Sequence, residues 1–78
     1  MERCLAELGP GALATVVGVH ADLPAVGRRL ADLGFTAGAT VEVVRRAPLR
    51  DPVVYRVHGY ELCLRRVVAA CIFVEVGS

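Results

Sequence analysis

Apolar residues recur along this chain with two periods, and the switch between them marks the elements. Leu13 to His20 is apolar and β-branched, through Thr15, Val16, Val17 and Val19, which predicts a strand. Ahead of it, Leu5, Leu8 and Gly9-Pro10-Gly11 predict a lead-in turn. Leu23, Val26, Leu30 and Leu33 then recur at helical spacing. They predict a helix over about Leu23–Leu33, with Arg28, Arg29 and Asp32 largely on its other side. Asp22 is placed to cap that helix, and Pro24 suits its first turn, where a missing N–H costs nothing. Gly27 lies inside the helix at a cost of about 1 kcal/mol relative to alanine; close packing against a strand is its expected use. Gly34 stands where the chain must turn left-handed, and Phe35 folds back onto Leu30 in a Schellman stop.

Beyond the Thr36-Ala37-Gly38 turn the period falls to two. Ala39 to Arg46 predicts a second strand, with Val41 and Val43 on one face and Thr40, Glu42 and Val44 on the other. Pro48 and Pro52 bracket a loop that cannot join a central strand. Val53 to Val57 and Tyr60 to Leu64 predict a hairpin around His58-Gly59, because glycine accepts positive φ and histidine tolerates it. Leu62 and Leu64 share one face of the second of these strands. Arg65 to Ala70 predicts a helical turn, and Cys71 to Val76 the last strand, with Ile72, Val74 and Val76 inward and Cys71, Phe73 and Glu75 outward. The sum is a mainly β fold, a small, strongly bent antiparallel barrel of about five strands with one inserted helix. Closure of such a barrel removes exposed strand edges.

With 78 residues, one domain over 1–78 is expected, with a small core. A 55% hydrophobic content and a mean hydropathy of +0.54 exclude disorder. The longest apolar run, Val67 to Val74, is eight residues, far short of the roughly 20 that span a bilayer, so no direct membrane insertion is expected. Glu2 and Glu7 with no long apolar core exclude a signal peptide, and a cytoplasmic location follows. A net charge of +1 gives no electrostatic case for nucleic acid. Every basic residue is arginine, which removes lysine Schiff-base chemistry and the lysine of a Walker loop. Cys4, Cys63 and Cys71 form no C-x-x-C pair and read as reduced thiols.

Catalytic patterns are absent. His58 serves a turn and His20 ends a strand, leaving no nucleophile with an oriented base, so the chain reads as a non-enzyme. His20, His58 and Glu61, with Cys63, are the candidate metal donors, a set that suits ferrous iron or zinc. At most two of them come from one region, so such a site is weak, at the surface or shared between two copies, and no cofactor is required. The loop from Ala47 to Pro52 is the candidate recognition element. Leu49 forms an apolar tip, Arg45, Arg46 and Arg50 surround it, and the prolines limit the entropy lost on docking. Tyr60 and Phe73 are further candidate contacts; Phe73 either serves a partner, including a second copy in a homodimer, or lies under the helix as core. Arg28 and Arg29 are either a solvated helix face, with Arg28 near Asp32, or a docking patch for an acidic surface.

Leu5, Leu8, Gly11, Val16, Arg28-Arg29-Leu30, Leu33-Gly34-Phe35, Gly38, Ala47-Pro48-Leu49 and Asp51-Pro52 occur in an order that resembles the FeoA family. Val57, Gly59, Leu62, Leu64-Arg65, Ala69, Ile72 and Val74 extend the match over roughly Leu5 to Val76. The chain departs from the family pattern at Arg50, where glycine is usual, so a different turn is expected there, and at Val68, where an acidic residue is common. The resemblance implies an SH3-like barrel with a helix inserted after the first strand. It also implies an accessory role in ferrous iron uptake, at the cytosolic side of the transporter FeoB, whose N-terminal part carries a GTPase. The domain is similar too to the C-terminal module of iron- and manganese-dependent repressors, which keeps a second class open: a regulatory module that binds a transition metal.

Overall fold

The structure, a computed structural model, describes residues 2–76. Its elements are β1 (Glu2–Cys4), a 3-10 turn (Leu5–Glu7), β2 (Leu13–Val19), α1 (Pro24–Asp32), β3 (Thr40–Arg46), β4 (Val53–Val57), β5 (Tyr60–Leu64), α2 (Arg66–Ala69) and β6 (Ile72–Val76). The fold is mainly β, as the periodicity requires. It has six strands rather than five, in one antiparallel sheet of order β1-β6-β2-β3-β4-β5. The additional strand is β1, which aligns Glu2, Arg3 and Cys4 with Glu75, Val74 and Phe73. Closure by hydrogen bonds is not complete: β1 and β5 are the two edges of the ladder.

Period-two alternation fills the concave face. Ala14 and Val16 of β2, Val41 and Val43 of β3, Val53, Tyr55 and Val57 of β4, Leu64 of β5, and Ile72 and Val74 of β6 are all buried. Leu5, Leu8, Leu30, Phe35 and Ala69 cover them from the connecting segments. Two bulges interrupt the alternation, at Val17 between β2 and β6 and at Val44 between β3 and β4. The second leaves Val44 without a partner in the ladder, half-buried like Glu42. Val76, expected inward, is exposed at the end of β6. Phe73 does not lie under α1. It points outward, half-buried, with its ring edge-to-face against His20 at 5.1 Å and 78°.

Helix α1 ends as its sequence dictates. Gly34 adopts φ +108°, its N–H donates to the Ala31 carbonyl, and the Phe35 N–H donates to the Leu30 carbonyl, each at 3.0 Å. These are the two bonds of a Schellman stop, and Leu30 and Phe35 meet in the core beneath it. The start differs from expectation. Leu23, with extended backbone, is the capping residue and makes no side-chain cap bond, so Asp22 stands one position too early. Pro24 does occupy the first turn. Gly27 does not pack against a strand: a methyl group there meets only the Ala21 side chain, at 4.0 Å.

Candidate functional site

The β4–β5 hairpin holds the C-terminal end of α1. His58 (φ +50°) and Gly59 (φ +81°) form the turn, as both residue types allow. From it the His58 ring, through Nε2–H, donates to the Gly34 carbonyl at 3.2 Å, and the Tyr60 hydroxyl donates to the Leu33 carbonyl. The Leu33 carbonyl is one that a helix end leaves without an intrahelical partner, and the Gly34 carbonyl, just past the end, also accepts from the Thr36 N–H at 2.9 Å. The imidazole and the phenol thus serve as clasps. Glu61, the neighbouring candidate donor, is held on the outer face of the sheet by Arg56 at 2.7 Å and Arg45 at 3.5 Å. Arg56 also meets Glu42 at 2.8 Å, following the register Glu42–Arg56–Glu61 across β3, β4 and β5. The bond from Glu61 and the charge of Glu42 raise the Arg56 pKa above its ordinary value. His20 stands away from these groups, against Phe73. Among the described residues no three histidine, cysteine, aspartate or glutamate side chains come together in metal-binding geometry.

The proline-bracketed loop is a hydrogen-bonded turn. Arg50 N–H donates to the Ala47 carbonyl at 2.7 Å, and Ala47 N–H donates to the Pro52 carbonyl at 3.0 Å. Leu49 at the tip is 90% exposed. Arg50 adopts φ +67°, so an arginine holds a left-handed conformation that suits glycine. Asp51 Oδ1 accepts from the Arg66 N–H at 3.0 Å, at the start of α2.

A second surface was not apparent in the sequence. The apolar stripe of α1 buries only Leu30; Val26 and Leu33 are half-buried and Leu23 is 66% exposed. The uncovered part of the stripe forms one wall of an open groove of about 400 Å³, with Leu30 as floor and Cys63, Leu64 and Val68 opposite. Arg29 stands on its wall, whereas Arg28 is exposed outside it and makes no ion pair with Asp32. A smaller hollow of about 190 Å³, between Leu23 and Val67, adjoins the groove and shares Val26 and Val68 with it. Val67 is 75% exposed. Val68, the second departure from the family pattern, therefore places an apolar side chain where both hollows meet. The periodicity that predicted α1 could not reveal the groove, because how much of a stripe the sheet covers depends on how far the helix stands from it.

No helix among the described residues is long and apolar enough to cross a membrane. The family model of the FeoA domain matches residues 3–76. An Fe(2+) transport protein A/Fe(2+) transporter FeoB fusion protein of Porphyromonas gingivalis is 45% identical over 74 residues, covering 95% of this chain. The chain spans only 9% of that fusion protein. The solution structure of a FeoA protein from Chlorobium tepidum superposes with a TM-score of 0.89 at 43% identity, over 97% of this chain and 71% of that one. A zinc-complexed FeoA from Stenotrophomonas maltophilia, described as an SH3 domain protein, gives a TM-score of 0.82 at 31% identity, over 96% and 89% of the two chains. By sequence and by fold alike, the chain belongs to the FeoA family.

Proposed function

We propose that this chain is a cytoplasmic accessory protein of ferrous iron uptake, and that it docks through the groove between α1 and α2 onto the cytosolic part of an FeoB-like transporter. The fusion of a related domain to FeoB in one polypeptide carries this reading, since fusion raises the effective concentration of two parts that work together. The groove supplies the surface. Its walls are apolar, it is open, and Leu23 and Val67 at its edge are too exposed to serve the chain's own core. It fits one or two large apolar side chains of a partner segment, and Arg29 favours an acidic neighbour beside them. Docking would alter GTPase activity or transport by binding one conformation of the transporter more tightly than another.

Co-purification with the detergent-solubilised transporter tests this reading. Leu23→Asp and Val67→Asp both alter exposed side chains, so the fold persists, which a thermal melt checks. Each removes about 1–2 kcal/mol of apolar burial at the interface and adds a desolvation cost. The double variant is expected to lose binding by about two orders of magnitude. A folded double variant that co-purifies like the wild type would show that the transporter binds elsewhere.

A further inference from the structure

The arginines of this chain are unevenly placed. Arg45 and Arg46 end β3, Arg50 lies in the loop that follows, and Arg65 and Arg66 follow β5. The register Arg46–Val53–Leu64 puts the ends of these strands side by side, and the bond from Arg66 N–H to Asp51 ties the loop to the start of α2. Five of the nine basic residues thus gather at one end of the molecule. Glu61 offsets Arg45, the half-buried Arg46 donates to the Leu8 carbonyl at 3.2 Å, and Asp51 is turned toward the backbone of α2. Arg50, Arg65 and Arg66 are exposed and form no ion pair among the described residues. From the same end projects Leu49, a single apolar side chain on a turn fixed by two hydrogen bonds and flanked by Pro48 and Pro52.

We infer that this end of the molecule is a membrane-surface anchor, in which Leu49 enters the headgroup region of an anionic bilayer while Arg50, Arg65 and Arg66 meet lipid phosphates. One projecting leucine is too little for the apolar centre of a protein interface, which commonly takes about 800 Å² from each partner. It suits shallow insertion into lipid, where neighbouring positive charges supply the rest of the attraction. The fixed turn presents Leu49 without an ordering step on binding. The proposal rests on the transporter reading only for the presence of a membrane. Leu64 lines the groove and Arg65 follows it, so a bilayer and a partner segment would meet adjoining surfaces.

Vesicle co-sedimentation of the full chain, with no transporter present, separates this inference from the docking reading. The probes are vesicles of phosphatidylcholine alone and of equal parts phosphatidylcholine and phosphatidylglycerol. Binding is expected on the anionic vesicles only, and is expected to fall as salt is raised. Neutralising Arg50→Gln with Arg65→Gln should weaken it about 25-fold, since each arginine near such a surface contributes about fivefold. Leu49→Asp should weaken it about tenfold or more. The chain has no tryptophan, so Leu49→Trp adds a unique reporter whose emission should shift to the blue on anionic vesicles. Equal binding to both vesicle types, or an indole emission that stays unchanged while the Leu49→Trp variant sediments, would overturn the inference. So would a Leu49→Asp variant that keeps its lipid binding but loses the transporter in detergent, because the loop would then be a protein contact.

Discussion

Gly34→Ala is the sharpest probe of how the hairpin and the helix hold each other. Two costs add at this position. The backbone sits at φ +108°, where a Cβ is strained by about 1–2 kcal/mol. The new methyl would also stand 2.6 Å from Cδ2 of His58 and 3.3 Å from its Nε2, so the ring must move. Moving it breaks the bond to the Gly34 carbonyl, worth about 1 kcal/mol. The sum is about 2–3 kcal/mol, against roughly 4–12 kcal/mol expected for a domain of this size. Gly38→Ala is the control, since Gly38 has φ +92° but open space around it, and it should cost only the backbone part. Urea unfolding of both variants, and of Gly34→Ala in a His58→Ala background, separates the two contributions. If Gly34→Ala and Gly38→Ala cost the same, or if His58→Ala relieves nothing, the clasp contributes no stability and the reasoning fails.

Two further outcomes follow from the core and the helix. Burial pushes the Tyr55 phenol up to about 12 from its usual value near 10, with Arg46 and Arg66 opposing the shift weakly. The neutral phenol is therefore favoured in the folded chain. Its contribution is intact below pH 10 and is lost as pH rises from about 10 to 12, up to about 3 kcal/mol. Stability measured by urea across that range should fall in the wild type and fall by that much less in Tyr55→Phe; equal declines would refute the assignment. Gly27→Ala should stabilise by about 1 kcal/mol, since the methyl meets Ala21 at an ordinary distance. A lower melting temperature for that variant would show that α1 needs glycine there.

The legible parts of the fold were those with local causes. The Schellman stop follows from Leu30, Gly34 and Phe35 within six positions, and the hairpin turn from His58-Gly59. Alternation along β3 and β6 put Val41 with Val43 and Ile72 with Val74 on shared faces, and all four are buried, whereas Val76 at the end of β6 is not. The misses came from distant causes. Glu2-Arg3-Cys4 is polar and short, and only the free edge of β6 makes it a strand. Tyr60 reads as a surface aromatic until its hydroxyl is seen to reach Leu33, 27 positions away. Of the candidate site residues, Leu49 stood out because proline brackets it, whereas the groove depends on the distance of α1 from β5 and has no linear signature.

The groove reading is tested most directly by following the backbone amides of the labelled chain by NMR while the cytosolic part of an FeoB-like transporter is added. Shifts should concentrate at Leu23, Val26, Cys63 and Val68 and leave Thr15, Phe73 and Glu75 on the opposite sheet face unmoved. Shifts confined to the β2–β6 face, or none at concentrations where the two proteins co-purify, would contradict it.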